Sequence, residues 1–345
     1  MEIPPVLPIK LHFLSLFEKG RSEVAFYNRV CTQHGGNYTL IVEDPREADY
    51  VILLGLQDQG NFTPDTFEHE IFAKYPTKCI VISECDEPVE LWPGLYTSGR
   101  RDGVPSGYIE GWFYPFHDNA FPNIALANRP PTASEKKYIA SFIGTRSHIL
   151  RNKISRLYRK NPDIFLKIET SYRHFDHDFE KSSEAQSRYA DIMCASHFSL
   201  CPRGKGLSSM RIFESMRMGV APVILSDNWI PSSLVEWEHC SLRIRERELK
   251  NLHSILVRNL DRSKELGEAA RHAYENCFAQ ANIPRQLTRA LPKVSWKGKS
   301  LKGPSQSFHR NLFKRRTRGY RFAYYKARMG NAAARLHDFL TAGGS

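Results

Sequence analysis

Residues 196–229 read SHFSLCPRGKGLSSMRIFESMRMGVAPVILSDNW. An apolar run is followed by a glycine-rich basic turn, Arg203-Gly204-Lys205-Gly206. A helical pattern over 208–219 then closes on a glycine, and a second apolar run ends in Ser-Asp-Asn-Trp. Continuous apolar runs separated by helices mark parallel strands covered on both faces, so the stretch predicts an α/β fold. The turn brings a helix N-terminus, with its free N–H groups and positive dipole end, beyond the end of a strand. Such a terminus attracts anions, and Arg and Lys side chains beside it add charge-assisted contacts. Arg211 and Glu214, three residues apart, share one helix face. A cation there suits a diphosphate, and a carboxylate one turn on suits the hydroxyls of a ribose. Taken alone, a surface turn followed by an Arg–Glu surface pair fits the same residues equally well. The turn matches neither the G-x-x-x-x-G-K-[ST] phosphate loop nor the G-x-G-x-x-G dinucleotide fingerprint.

Outward from this stretch the same alternation recurs. Strands are predicted over 9–16, 38–44, 48–56 and 77–88, with a helix over 21–36. Residues 92–133, rich in Gly, Pro and aromatics, read as irregular cleft-lining structure leading into a linker. Strands return at 137–144 and 163–170, with helices over 146–161, 182–196 and 246–278. Two such arrays predict two Rossmann-like domains facing a cleft, with ligands beyond the carboxyl ends of the strands. The expected boundaries are 1–130, 131–292 and a basic tail over 293–345.

Charge is unevenly distributed. The tail holds 13 of the 49 basic residues and one of the 37 acidic ones, Asp338, so the preceding 292 residues are neutral. A neutral body argues against a nucleic-acid binder, which needs a basic face to displace phosphate counterions. The seven cysteines are scattered, odd in number and without a CxxC pair, which gives neither a zinc knuckle nor a disulfide framework. The N-terminus reads as a poor signal peptide, and no run approaches 18 apolar residues.

The segment 197–237, HFSLCPRGKGLSSMRIFESMRMGVAPVILSDNWIPSSLVEW, resembles the signature of exostosin-like glycosyltransferases of family 47. That signature runs Phe-x-Leu-x-Pro-Arg-Gly, Ser-x-Arg-x-x-Glu, then Val-Pro-Val-Ile-x-Ser-Asp, with Ala221 here before the proline. KYIASFIGTRSHILRNKI is similar to the family's strand and Arg-Asn helix start, and Tyr189 matches a family tyrosine. The likeness is specific over 137–237. It implies a GT-B fold, inversion at the anomeric carbon, and no cofactor or metal. The second domain is then expected to hold a nucleotide sugar, commonly a UDP-sugar, and the first a glycan or lipid-linked acceptor. Carried over, Arg151 and Arg211 bind the diphosphate, with Arg146 a further contact. Glu214 binds the ribose, Ser208 and the turn Arg203, Gly204, Lys205 line the phosphate pocket, and Asp227 and Asn228 lie near base or sugar.

Inversion by one displacement needs a general base. Glu84 and Asp86, at the end of the strand over 77–88, are the best placed candidates; capping of the next turn is the competing reading. His117 is a third candidate. Asp176-x-Asp178 invites a divalent cation, but its polar surroundings read as a solvated loop. Residues 307–330 interleave basic and aromatic side chains, which suits an anionic membrane surface, RNA, or packing onto the body. The expectation is a cytoplasmic enzyme peripheral to the inner membrane, with no nucleic-acid partner. A non-catalytic module of the same fold, docked through its tail, is the alternative.

Overall fold

The apolar runs fold into two parallel sheets with helices against them. The computed structural model describes residues 7–55, 69–86, 88, 90, 92–101, 107–127, 135–168 and 179–294. The first sheet contains β1 (Ile9–Ser15), β2 (Thr39–Ile41), β3 (Tyr50–Leu54), β4 (Cys79–Ser83), β5 (Gly94–Tyr96) and β6 (Ile109–Gly111). Its order is β2-β1-β3-β4-β5-β6. The second contains β7 (Tyr138–Gly144), β8 (Ile164–Ile168), β9 (Ser196–Pro202), β10 (Ala221–Leu225) and β11 (Leu242–Arg243), ordered β11-β10-β9-β7-β8. Every neighbouring pair is parallel.

Both sheets are wound the same way. In each, the second strand lies outside the first, and the chain then crosses back to build the other half. The winding reverses between β1 and β3, and again between β7 and β9. Ligands of open parallel sheets bind beyond the strand ends at such a reversal. The helices that matter to the site are α1 (Arg21–His34), α2 (Glu70–Lys74), α3 (Pro115–Ala120), α4 (Ile124–Ala127), α5 (Ile149–Tyr158), α6 (Phe179–Cys194) and α7 (Met210–Arg217). Beyond them come α8 (Trp237–Cys240), α9 (Leu252–Arg258), α10 (Ser263–Ala273) and α11 (Ile283–Ala290).

Residues 92–133, read as irregular from the sequence, contain β5, β6, α3 and α4. The two strands are three residues long, too short to set up a periodic pattern, and both are fully buried. They form the edge at which the sheets meet. Trp229, after β10, is 0% exposed, and its indole N–H donates to the Thr97 carbonyl at 2.8 Å. The Ile230 N–H donates to the Gly99 carbonyl, the Arg101 N–H to that of Asn228, and the Ser233 N–H to the Glu110 carboxylate at 2.6 Å. One apolar cluster runs through both sheets, joining Leu11, Ile52 and Ile82 to Ile212, Ile224 and Phe278. After the second sheet the chain returns to the first, where α11 packs on α1.

Asp176, Asp178 and the basic segment 307–330 lie outside the described residues.

Candidate active site

At the reversal of the second sheet, β7 and β9 end side by side, and Arg151 from α5 spans the gap. Its Nε donates to the Arg203 carbonyl at 3.2 Å, Nη1 to Thr145 at 3.2 Å and Nη2 to Pro202 at 3.3 Å. Arg211, in the first turn of α7, donates to the Ile143 carbonyl. Both guanidinium groups lie against the ring of Phe142, at 5.4 Å for Arg151 and 4.6 Å for Arg211, and Arg211 also faces Tyr189 at 5.6 Å. Among the described residues neither makes an ion pair with a carboxylate. Burial, followed by the like charge of Arg211, lowers the pKa of Arg151 to about 10. Two half-desolvated cations held only by carbonyls and rings form a strong electrostatic preference for an anion.

The basic turn closes over this pair and also touches the first sheet. A Cβ on Gly204 would lie 2.9 Å from Arg151 Nη2. One on Gly206 would lie 2.6 Å from Ser98 Oγ and 2.7 Å from Asp86 Oδ1. Only glycine permits that approach. The N-cap of α7, Ser209, makes no side-chain cap; of the leading N–H groups, that of Ile212 donates to the Ser209 carbonyl at 3.0 Å. The Ser208 and Ser226 hydroxyls, 3% and 5% exposed, have no hydrogen-bond partner among the described residues.

Glu214 accepts a 2.6 Å bond from the Tyr189 hydroxyl on Oε2. It also lines a cleft between the sheets, together with Tyr114, Asp118, Met210, Arg217 and Tyr274. Lys205 and Arg146 are exposed. Asp227 and Asn228 are exposed too, and they are tied up locally. Asp227 accepts from the Glu246 N–H at 3.0 Å, and the Asn228 carbonyl accepts from Arg101 at the seam.

Across the cleft, Glu84 and Asp86 follow β4. Glu84 is buried, and its carboxylate accepts the N–H groups of Phe116 and His117, both at 2.9 Å, as a cap on α3. The same carboxylate meets His117 Nδ1 at 2.8 Å. Asp86 faces the basic turn through Gly206 and adds its charge to the surroundings of Arg151. Glu23, at the start of α1, stands beside Glu84. Burial and that neighbouring charge raise its pKa to about 7.

Of the sequence-predicted residues, the structure gathers Arg151, Arg211, the basic turn and Glu214 around the reversal of the second sheet. Beside them it places Ser226, Asp118, Glu23 and the Tyr189–Glu214 bond, which the sequence does not single out. Tyr189 lies 25 residues from Glu214, and Glu23 lies 61 from Glu84, so no local spacing joins either pair. For Ser226 the available signal is its place beside Asp227, at the end of the second apolar run.

Two parallel sheets of one winding facing a cleft are the GT-B class of fold. Residues 109–258, from β6 through the second sheet to α9, match the Exostosin GT47 domain. It is similar to the exostosin-1 homolog of Caenorhabditis elegans, 29% identical over 41% of this chain and 41% of that protein. A probable glucuronosyltransferase of Oryza sativa is 28% identical over 39% of this chain and 31% of its own length. The chain thus spans well under two thirds of these relatives. Among solved structures it is similar to Anabaena HepE in complex with UDP and glucose, with a TM-score of 0.38, 11% identity, and coverage of 83% of this chain and 99% of that one.

Proposed function

We propose that this protein is an inverting glycosyltransferase that moves a sugar from a nucleoside diphosphate sugar, a UDP-sugar first among them, to a glycan or lipid-linked saccharide. The observation that carries the reading is the Arg151–Arg211 pair on Phe142, held at the reversal of the second sheet with no carboxylate paired to it among the described residues. The leaving diphosphate gains charge in the transition state. Fixed cations and the N-terminus of α7 stabilise that charge more than they stabilise the ground state, and they do so without a metal. Glu214, oriented by Tyr189, is left one carboxylate oxygen for a ribose diol. Ser208 and Ser226 offer hydroxyls to the phosphates, and the cleft beside Glu214 leads toward the first sheet. The name of the Oryza sativa relative makes UDP-glucuronate the first donor to try. A lipid-linked acceptor would fit a contact of residues 307–330 with an anionic membrane.

Calorimetry with UDP, GDP, ADP and CMP, in EDTA and then with manganese, tests the reading. One nucleoside diphosphate is expected to bind at micromolar Kd in EDTA. Failure of every nucleotide to bind a folded protein would leave the non-catalytic alternative.

A further inference from the structure

From the Glu84–His117 contact we infer that His117 is the group that takes the proton from the attacking hydroxyl, and that Glu84 is its positioning residue. The inference rests on the transferase reading above. Two backbone N–H groups and the His117 ring already engage the Glu84 oxygens. Those bonds fix the carboxylate, whose side chain is 3% exposed, and it in turn fixes the imidazole by Nδ1. A carboxylate that accepts from Nδ1–H leaves Nε2 as the unprotonated nitrogen. The imidazole remains 27% exposed, on a helix whose Pro115 and Asp118 line the cleft. His117 sits between Asp118, which lines the cleft, and Phe116, whose N–H binds Glu84. Its ring lies 6.3 Å from that of Tyr114, another cleft residue. This is the base-and-orienter geometry of general base catalysis.

The step balances within these groups. The acceptor oxygen forms its bond to the anomeric carbon as its proton passes to His117 Nε2. The bond from that carbon to the diphosphate breaks, and the electron pair leaves with the phosphate oxygen. Glu84 stabilises the imidazolium and Arg151 with Arg211 stabilise the diphosphate, so the charges that develop are each met by a fixed partner. Three carboxylates face His117: Glu84 and Asp86 after β4, and Glu23 from α1. Burial alone would lower its pKa; the Glu84 bond and charge more than offset that, and the imidazole titrates above its ordinary value.

Histidine NMR titration with UDP as the probe, in wild type and with His117→Gln for assignment, separates a base from a structural histidine. UDP is expected to bind both proteins within about threefold of each other and to raise the wild-type His117 pKa by about half a unit, since the diphosphate stands across the cleft. Glu84→Gln is expected to lower that pKa. In parallel, release of UDP from UDP-glucuronate with water as acceptor is expected to slow about 100-fold or more in His117→Gln. A His117 resonance that UDP leaves unmoved while binding, or a rate in His117→Gln within about threefold of wild type, overturns the assignment and leaves the donor site standing. Absence of UDP binding in wild type overturns both together.

Discussion

Arg151 and Arg211 hold their guanidinium carbons 5.4 and 4.6 Å from the centroid of one ring, that of Phe142. Like charges do not gather on a buried ring by mutual attraction. They are brought there by backbone: Arg151 is tied to three carbonyls across the ends of β7 and β9, and Arg211 to a fourth. The fold therefore bears a standing repulsion, and an anion bound between the two cations would relieve it.

Removing either cation should cost nucleotide affinity far more than it costs folding. Truncating one member of a buried charge pair costs about 2–5 kcal/mol, or at least about 30-fold in Kd. Arg151→Ala and Arg211→Ala are each expected to lose UDP binding to that extent by calorimetry. Arg151→Lys should not rescue it, because one ammonium cannot reach the Thr145, Pro202 and Arg203 carbonyls together. UDP affinity within threefold of wild type in Arg211→Ala would sink the donor site.

The ribose role of Glu214 has its own test. Hydrogen bonds to a charged group are worth about 1.5–3 kcal/mol, so Glu214→Ala should weaken UDP about ten- to a hundredfold. The same substitution should leave 2′,3′-dideoxy-UDP unchanged, since that analogue has no diol. Tyr189→Phe removes only the 2.6 Å bond that orients Glu214, and a loss of about fivefold, confined to UDP, is expected. Equal losses for both nucleotides would move Glu214 away from the ribose.

The sequence is most readable where one local pattern carries the answer. The helix and strand runs of the second sheet are long, and the cations sit at fixed spacing inside them. The first sheet's edge is not legible, because β5 and β6 are three residues each and owe their place to the loop after β10 rather than to their own periodicity. Glu84 is legible as a polar residue ending a strand, but its partner is not. His117 is brought to it by α3, 33 residues on, and only the fold shows that its carboxylate is already engaged.

The seam at Trp229 predicts one cooperative unit rather than two. Its indole is 0% exposed and bonded to Thr97 of the other sheet. Replacing a buried Trp by Ala costs about 3–5 kcal/mol. Trp229→Ala is expected to lower the unfolding free energy in urea by that amount and to split the single wild-type transition into two. Two transitions already present in wild type would show that the shared cluster does not couple the sheets.

The Glu23–Glu84–His117 cluster sets the direction of the pH dependence of stability. Burial, then the charge of Glu84, raises Glu23 from the ordinary carboxylate value of 4.5 to about 7. Its folded form therefore holds a proton that its unfolded form has released between those values. The same sign applies to His117, which titrates above its ordinary value: there burial pulls down, and Glu84 more than offsets it. In both cases the folded state binds more protons, so stability falls as pH rises. Glu23 contributes at most about 3.5 kcal/mol of this, since each tenfold change in proton affinity is worth about 1.4 kcal/mol. Most of the Glu23 loss is expected between about pH 5 and 7, and the His117 part from about 6.5 upward. Urea unfolding at pH 5, 6, 7 and 8 measures it. Glu23→Gln, which mimics the protonated carboxyl, should flatten the profile below pH 7 and raise stability at pH 8. An unchanged slope in Glu23→Gln would mean that Glu23 ionises freely in the folded protein and does not share the field of Glu84.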